Sequence, residues 1–287
     1  MTTTPTRTTW SRDDVTVVGD TPRGDSHVRL RRLAPRQLGP LGLAIGPAVA
    51  LVLWQLSSVT GLLPERQLAA PSTAVTTGYE MFVTGALLPH LAASAQRAYL
   101  GLALGVVLGL VAALLSGLTR AGEASIDSLV QIKRAIPTLA LIPLAILWLG
   151  IGETMKVAVI ATSVFVPIYI NTHAGLRGID HRYVELAQTT EVGRAEFIRR
   201  VALPGALPGF LTGLRLAVTM CWTALVVLEQ INATEGIGYV MNRARDFGQT
   251  DVIVVGLVVY AAMGLLSDAL VRVVQRRALA YRKGLGS

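Results

Sequence analysis

The chain has 287 residues, of which 52% are hydrophobic and only 15% are charged, and its mean hydropathy is +0.53. This composition is too apolar for an ordinary soluble domain and indicates a membrane protein. The formal net charge is +8, but the low charge density and the 6% aromatic content do not match a nucleic-acid-binding protein. A single cysteine, Cys221, excludes an intramolecular disulfide framework and a thiolate zinc cluster.

The first 37 residues form a polar segment that is rich in Thr, Arg, Pro and Asp. The segment has neither helical nor strand periodicity, so 1–37 is predicted to be a disordered tail. Leu38 starts an apolar run of membrane-spanning length, which predicts an uncleaved anchor rather than a signal peptide. The range 38–94 is therefore expected to hold the first transmembrane helix and an outer loop.

Five long stretches of the chain carry no charged residue and consist mainly of Leu, Ala, Val, Ile and Gly. About 20 apolar residues are needed to cross a hydrocarbon core of ~30 Å, and each stretch approaches or exceeds that length. A sixth apolar stretch contains Arg215 and approaches Glu229, and a helix is the open-ended structure that lipid tolerates there. We predict an all-α, polytopic membrane protein with six transmembrane helices near 38–58, 95–118, 131–150, 156–175, 206–231 and 250–272.

The positive charges are unevenly divided between the two sides of this predicted membrane region. Eighteen Lys and Arg residues lie on the side that holds both chain ends, and four lie on the other side. By the positive-inside rule, both termini are expected in the cytoplasm. The sequence thus predicts a multi-pass membrane protein with a five-helix core over 95–275 and a cytoplasmic tail over 276–287.

Two shorter patterns lie within this frame. Ser72 is a candidate N-cap for a short outer helix that runs to about Thr84. Gly101, Gly105 and Gly109 recur every four residues in the second predicted span. They place three positions without a side chain on one helix face, which predicts close packing against another backbone.

Motifs of several enzyme classes are absent from the sequence. There is no G-x-x-x-x-G-K-[ST] segment, so the chain is not expected to hydrolyse ATP, and there is no H-E-x-x-H segment. The four histidines lie in separate segments without metal-ligand spacing, and no metal site is predicted. Glu229 and Asp268 lie near opposite ends of their predicted spans and are not expected to share a proton. A membrane-embedded enzyme is therefore disfavoured.

The polar stretch 176–205, between the fourth and fifth predicted spans, is the most informative segment. Asp180 is a candidate N-cap for a helix that runs to about Thr189. A break follows, and a second short helix over 194–201 is expected to end before Pro204. The apolar residues of two such short helices cannot form a core alone, so the protein's own membrane helices or another protein must cover them.

This stretch resembles the EAA loop of permease subunits from ATP-binding-cassette (ABC) importers. The likeness consists of Glu185 and Ala187, a turn, and then Ile198, Leu203 and Pro204. Longer stretches extend the resemblance in the same order: LALIPLAILWLGIGE at 139–153, FVPIYINTHAGLRGID at 165–180, LPGALPG at 203–209 and GIGYVMNRARDFGQTDVIVVGLVVYA at 236–261. From residue 38 onward the chain resembles the nitrate/sulfonate/taurine group of permeases, and within it the permeases for aliphatic sulfonates.

The resemblance implies a type I ABC importer permease fold in the cytoplasmic membrane of a prokaryote. In that family the EAA loop forms a coupling helix that docks into a groove on a cytoplasmic ATPase. The implied partners are a second copy of this chain, two ABC ATPase subunits, an extracytoplasmic solute-binding protein and membrane lipid, with no nucleic acid. ATP and Mg²⁺ would be bound by the ATPase, and this chain would carry no cofactor. The implied coupling residues are Glu185, Ala187, Glu191, Gly193, Ile198, Leu203 and Pro204.

The loop departs from the family pattern at one position. The family usually has Gly six residues after the leading Glu, but this chain has Glu191 there and Gly193 two positions later. We therefore expect a displaced or lengthened turn within a retained helix–turn–helix. The Glu191 carboxylate is interpreted as solvent-facing, with contact to a basic residue of the ATPase as the alternative.

Polar residues inside the predicted spans are candidates for a translocation pathway. A charge in the bilayer costs about 2.5–3.5 kcal/mol on insertion scales, so charged residues tend to face a cavity or a partner. Lys133, Arg134 and Arg215 could guide an anion such as a sulfonate, or could extend to the headgroups from the cytoplasmic ends of their helices. The uncharged candidates could equally form helix–helix hydrogen bonds, and they are Thr138, Asn171, Thr219, Thr223 and Gln230.

The resemblance as a whole predicts a permease subunit that moves a small organic anion by alternating access, driven by ATP hydrolysis in its partner. An aliphatic sulfonate is the expected cargo, and taurine, nitrate or another small solute is the alternative within the same class. An ATP-independent channel or secondary carrier is the rival from another class. The absence of a convincing match between the two halves of the chain weighs against a carrier built from inverted repeats.

Overall fold

The computed structural model of the chain describes residues 40–231 and 233–280. The chain divides into two compact units, 1–47 and 48–287, and of the first unit only the start of the first helix is described. The predicted tail over 1–37 and most of the predicted tail over 276–287 lie outside the described residues.

Helices account for nearly all of the described residues, and no β-strand occurs among them. Two π-helical turns, Glu123–Asp127 and Ile198–Ala202, connect helices without a loop, and one 3₁₀ turn, Thr138–Leu141, leads directly into the helix that follows it. The α-helices are α1 (Pro40–Val59), α2 (Pro71–Val83), α3 (Leu87–Leu118), α4 (Arg120–Gly122), α5 (Ser128–Ala135), α6 (Ile142–Leu149), α7 (Glu153–Arg177), α8 (His181–Thr189), α9 (Arg194–Phe197), α10 (Leu203–Gln230), α11 (Ile237–Asp246) and α12 (Thr250–Ala278).

Four helical segments in the described residues are long and apolar enough to cross a membrane. They are α3, α7, the continuous helix Arg194–Gln230 and α12, and the bent pair Arg120–Ala135 and Thr138–Leu149 adds a fifth if both parts form one span. α1 is apolar but shorter over the part searched, Ile45–Val59. The predicted all-α, multi-span architecture is confirmed, and the count of six helices stays a prediction.

The structure differs from the predicted span over 131–150, which is bent. α5 ends at Ala135, Ile136 is extended, and the chain turns through 93° before α6. Pro137 lies at this bend, and Pro143 lies in the first turn of α6. Proline cannot donate the backbone hydrogen bond of a helix and disfavours helical geometry in the residue before it. The absence of charged residues correctly indicated an apolar segment, and the two prolines explain why this segment is bent.

α7 lies at the centre of the described bundle, between α3 and α10. A Cβ atom added at Gly101, Gly105 or Gly109 of α3 would lie within 2.9 Å of an atom of α7. The predicted close packing of this glycine face is therefore confirmed. The other side of α7 is packed in the same way, because a Cβ atom at Gly209 or Gly213 of α10 would lie 2.4 or 2.7 Å from a carbonyl oxygen of α7.

The prediction that the second loop helix ends before Pro204 is wrong. α9 continues through the π-helical turn Ile198–Ala202 into α10, and Arg194–Gln230 forms one helix of 37 residues. Pro204 lies in the first turn of α10. A π-helical turn changes the hydrogen-bond spacing of a helix, which allows the helix to continue past a residue that has no N–H donor.

α2 is the short outer helix predicted from Ser72, with a shifted start. Its N-cap is Ala70, its first residue is Pro71, and Ser72 therefore lies inside the helix. The Ser72 hydroxyl accepts a hydrogen bond from Gln55 Nε2 at 3.1 Å, and the Ser72 backbone N–H donates to Gln55 Oε1 at 3.2 Å. Ser72 thus joins α2 to α1 instead of capping α2.

Candidate functional site

The helical bundle has two ends, the loop end and the far end. The loop end carries residues 178–193, where α7 ends and α8 lies. The far end carries residues 231–236, where α10 ends and α7 begins. The functional residues predicted from the sequence lie mainly at the loop end and along α10.

The first helix at the loop end, α8, is exposed. Asp180 caps it as predicted, because its Oδ1 accepts a hydrogen bond from the Arg182 backbone N–H at 2.9 Å. No residue of α8 is buried, and the side chains of Tyr183 and Leu186 are 57% and 59% exposed. A cleft of about 430 Å³ lies beside α8 and is lined in part by Tyr183, Arg200 and Pro204. The helix therefore presents apolar side chains that its own chain does not cover.

The turn after α8 is a Schellman motif with Glu191 at its left-handed position. Glu191 has a φ of +54° and is the one non-glycine residue of positive φ among the described residues. Val192 donates its N–H to the Ala187 carbonyl at 2.9 Å, and Glu191 donates to the Gln188 carbonyl at 3.3 Å. Gly193 has a φ of −60° and is the N-cap of α9. The expected displaced or lengthened turn is therefore not observed, because Glu191 at the family's usual glycine position itself adopts the conformation that favours glycine.

The second half of the loop is attached to the bundle. Arg194 donates from Nη2 to the Leu118 carbonyl at the end of α3, at 2.8 Å. Phe197 packs against a core of Leu176, Ala202 and Ala206. The protein's own helices thus partly cover Phe197 after the turn, whereas Tyr183 and Leu186 of α8 stay exposed. Of the predicted coupling residues, Ala187 and Ile198 are half-buried, and Glu185, Glu191, Gly193, Leu203 and Pro204 are exposed.

The predicted pathway residues on α7 and α10 do not form one site. Thr219, Thr223 and Gln230 are exposed on α10. The hydroxyls of the two threonines donate to carbonyls one turn earlier in the same helix. Asn171 likewise donates to the Pro167 carbonyl of its own helix at 2.8 Å. Neither threonine hydroxyl nor the Asn171 amide is assigned a hydrogen bond to another helix in the described residues.

Arg215 of α10 has a carboxylate partner on another helix. Its Nε donates to Asp268 Oδ1 of α12 at 2.9 Å, and Asp268 also pairs with Arg272 at 3.1 Å. Asp268 and Glu229 therefore have separate partners, as expected from their positions near opposite ends of their predicted spans. Arg215 and Arg272 thus share one carboxylate of this chain.

The structure brings two other pathway candidates together. Lys133 Nζ donates to Thr138 Oγ1 at 2.9 Å and to the Thr162 carbonyl at 3.0 Å. Thr162 lies nearer the middle of α7 than either end, so the Lys133 side chain turns inward instead of extending to a headgroup. The neighbouring Arg134 is exposed. A cavity of about 290 Å³ is lined by both threonines.

A buried network of charges at the far end was not predicted from the sequence. Glu229 is 1% exposed, and its carboxylate accepts hydrogen bonds from Ser94 at 2.8 Å and Arg97 at 2.7 Å, both on α3. It also accepts from the Gly238 backbone N–H at 2.9 Å and the Tyr260 hydroxyl at 2.8 Å. The sequence showed an acidic residue near the end of a span, but these partners lie in three other helices.

The network continues from Arg97 to the start of α7. Arg97 forms a two-pronged ion pair with Glu153, and Glu153 also accepts from Lys156 at 2.9 Å. Arg97 further donates to the Glu235 carbonyl at 2.6 Å. Two basic and two acidic side chains thus balance one another and join α3, α7 and α10 to the segment before α11. Removing one member of such a buried network strongly destabilises the folded protein.

Comparison with known proteins assigns the chain to a family. The profile of the family described as "Binding-protein-dependent transport system inner membrane component" matches residues 105–279. The protein named as an aliphatic sulfonates transport permease, SsuC of Escherichia coli (strain K12), is 42% identical over 86% of this chain and 91% of its own length. The taurine transport system permease protein TauC of the same strain is 35% identical over 82% of this chain and 88% of its own length.

A solved structure agrees with the fold. A chain in the crystal structure of an amino acid ABC transporter superposes with a TM-score of 0.57, although only 19% of its residues are identical. The match covers 69% of this chain and 97% of that chain, and it bears out the predicted permease fold. This chain therefore belongs to the family of binding-protein-dependent transport system inner membrane components, and it is a membrane-embedded transport subunit and not an enzyme.

Proposed function

We propose that this chain is the permease subunit of an ATP-driven ABC importer that carries an aliphatic sulfonate. In this proposal two copies of the chain assemble with two cytoplasmic ATPase subunits, and an extracytoplasmic solute-binding protein delivers the cargo. The names of the relatives SsuC and TauC support this class of cargo. Taurine is the alternative that the second name suggests, and nitrate or another small solute is a more distant one.

The observation that carries the proposal is the geometry of the loop end. α8 exposes Tyr183 and Leu186, which suits an apolar contact with a groove on an ATPase. Its Schellman turn leads into the 37-residue helix Arg194–Gln230, which continues through Pro204. Because that helix does not break, a displacement of the loop is transmitted along α10 as a rigid-body movement.

The movement of α10 would reach the centre of the bundle. Gly209 and Gly213 of α10 leave no space for a side chain against α7, so α10 cannot shift without displacing its neighbour. ATP and the loaded binding protein would favour different arrangements of these helices, and the cargo would cross by alternating access. ATP and Mg²⁺ would be held by the ATPase, in keeping with the absence of a P-loop segment from this sequence.

The proposal also fixes the orientation of the chain. The loop end and both termini would face the cytoplasm, in agreement with the excess of Lys and Arg on that side of the predicted spans. The far end, with its buried Glu229 network, would then face the binding protein outside. Contact with membrane lipid along the exposed apolar faces of the spans follows from the same arrangement.

Reconstitution tests the proposed function. The chain is incorporated into proteoliposomes with its ATPase and binding protein, and uptake of radiolabelled ethanesulfonate and taurine is measured with and without ATP. We expect uptake that requires ATP, the ATPase and the binding protein, and that is faster for ethanesulfonate. Uptake that proceeds without the ATPase subunits would instead indicate a channel or secondary carrier.

A pair of variants on α8 tests the coupling surface. Leu186→Asp places a charge on the exposed apolar face and is expected to lower ATP-driven uptake by roughly tenfold or more, as for a lost contact at the centre of an interface. Gln188→Asp adds the same carboxylate two residues further along α8, about 200° around the helix, without removing an apolar side chain, and it is the control. Equal uptake by the two variants would show that α8 does not bind the ATPase through Leu186.

A further inference from the structure

Lys133 is a basic residue without an acidic partner in the part of the chain that the structure describes. In the described part of the chain, 40–231 and 233–280, none of the ion pairs includes Lys133. Its two acceptors are uncharged oxygen atoms, the Thr138 hydroxyl and the Thr162 carbonyl. An ammonium group has three N–H donors, so one donor is left for another acceptor.

The other basic residues in the interior of the described bundle differ from Lys133. Arg97 and Lys156 are buried, and each pairs with a carboxylate on this chain. A charge in the hydrocarbon region is costly unless it is paired or faces a polar cavity. Lys133 is half-buried and turned toward the middle of α7, and among the described residues no carboxylate pairs with its charge.

The cavity lined by Thr138 and Thr162, the two residues that accept hydrogen bonds from Lys133, is mostly apolar. Every other lining residue is apolar. The apolar lining includes Leu141, Leu144 and Trp148. Its volume of about 290 Å³ is at the lower end of ligand sites and suits a molecule smaller than a drug. A compact anionic group with a short alkyl chain is complementary to such a site.

We infer that Lys133, Thr138 and this cavity form a binding site for an alkanesulfonate within the permease. The anionic head group accepts hydrogen bonds from Lys133 Nζ and the Thr138 hydroxyl, and the alkyl chain packs against Leu141, Leu144 and Trp148. The inference rests on the proposed function and locates the cargo within it. It favours the role of Lys133 as an anion guide over the alternative of an extended side chain at a headgroup.

The site lies between two parts of the chain that can move relative to each other during transport. Thr138 belongs to the bent segment between α5 and α6, whereas Thr162 belongs to α7. α7 is packed against α10 without intervening side chains, and it leads directly to the loop end. A shift of α7 would therefore change the distance between the two threonines and with it the affinity for the cargo.

The first test removes the charge in the complete complex. Permease, ATPase and binding protein are reconstituted in proteoliposomes, and ATP-driven uptake of ethanesulfonate is measured for the wild type, Lys133→Gln and Lys133→Arg. Lys133→Gln is expected to lower uptake roughly ten- to hundredfold, the range for loss of a charged hydrogen bond, and Lys133→Arg to retain most of it. Arg120→Gln removes an exposed positive charge from α4, in the first part of the bent pair Arg120–Ala135 and Thr138–Leu149, and is the control.

The outcomes separate the inference from the proposed function. Wild-type uptake by Lys133→Gln would overturn the anion site and leave the ATP-driven permease intact. Absence of ATP-dependent uptake in the wild type would overturn the proposed function itself. If Lys133→Gln prevents assembly of the complex and Lys133→Arg does not, the ammonium instead pairs with a carboxylate of a second copy or partner, which also contradicts the site.

The second test depends on the cavity and not on Lys133. Leu144→Trp reduces the cavity, and it is expected to lower uptake of hexanesulfonate roughly tenfold relative to methanesulfonate, as for extra methylenes in a filled pocket. Leu147→Trp makes the same change on α6 at a residue that is 78% exposed and does not line the cavity, and the ratio should stay at the wild-type value. An unchanged ratio in Leu144→Trp would show that lipid, and not the alkyl chain of the cargo, fills this cavity.

Discussion

The far end of the bundle buries a charged residue among hydrogen-bond partners, whereas the charged residues at the loop end are exposed. At the far end, Glu229 is 1% exposed and accepts hydrogen bonds from α3, α11 and α12. At the loop end, the pair His181–Glu185 joins exposed residues one turn apart on α8, and just after it Glu196 of α9 forms a similar exposed pair with Arg200 of the π-helical turn. Exposed pairs contribute little to stability, whereas breaking a buried network is costly. Buried ion pairs and hydrogen bonds thus hold the helices together at the far end, whereas α8 is held mainly by its covalent connections to the chain on either side.

This difference has a meaning for a transporter. A subunit that is moved by a partner needs one region that keeps its helices together and another region that the partner can contact. The buried network joins four parts of the chain at one end, and α8 leaves its apolar side chains uncovered at the other. Three substitution pairs test whether the contrast is real.

The largest effect is expected at Glu229. Glu229→Ala leaves Arg97 without one of its carboxylate partners and leaves the Ser94 and Tyr260 hydroxyls without their acceptor. We expect the free energy of unfolding to fall by roughly 3–5 kcal/mol, the cost of removing one partner of a buried ion pair. Glu185→Ala at the loop end, where the carboxylate is exposed, should change it by no more than about 0.5 kcal/mol. Thermal unfolding in detergent measures both, and equal shifts would remove the contrast.

A smaller loss is expected where α3 meets α7. The Cβ atom of Gly105→Ala would lie 2.5 Å from the Ala161 carbonyl oxygen, so the two helices must separate. Overpacking of this kind costs about 1–3 kcal/mol. Gly264→Ala in α12 is the matched control, since no atom lies within 4 Å of its added Cβ and alanine favours a helix. The same unfolding assay should show a loss for the first variant and no loss for the second.

The smallest effect is expected in the turn after α8, and its sign is opposite. Glu191→Gly relieves the left-handed backbone of a residue with a side chain and should raise the free energy of unfolding by about 1 kcal/mol. Gly193→Ala serves as the control, because its φ is −60° and the space around it is open. Slower amide exchange at Val192 in Glu191→Gly would support the interpretation, whereas a less stable Glu191→Gly would contradict it.

The sequence predicted those features that depend on local chemistry. Apolar stretches located the spans, the Gly101–Gly105–Gly109 spacing located the face against α7, and Asp180 marked the start of α8. The bend at Pro137 was not predicted, although proline disfavours helical geometry, because the length of the charge-free stretch indicated a single span.

Other features depend on contacts between distant parts of the chain. Arg97 and Glu229 are 132 positions apart, and no pattern in one sequence shows that they meet. The left-handed turn could not be assigned to Glu191, because a glycine two positions later was the better local candidate. The inward direction of Lys133 likewise depends on Thr162 of α7, 29 positions away.

The central claim is that ATP binding in a partner moves α8 of two copies of this chain. A spin label at Gln188→Cys, in a Cys221→Ser background, reports the distance between the two α8 helices in the reconstituted complex. The account predicts a dipolar distance between the copies that shortens when ATP and loaded binding protein are added under conditions that block hydrolysis. A distance that does not change, or no dipolar coupling between copies, would contradict it.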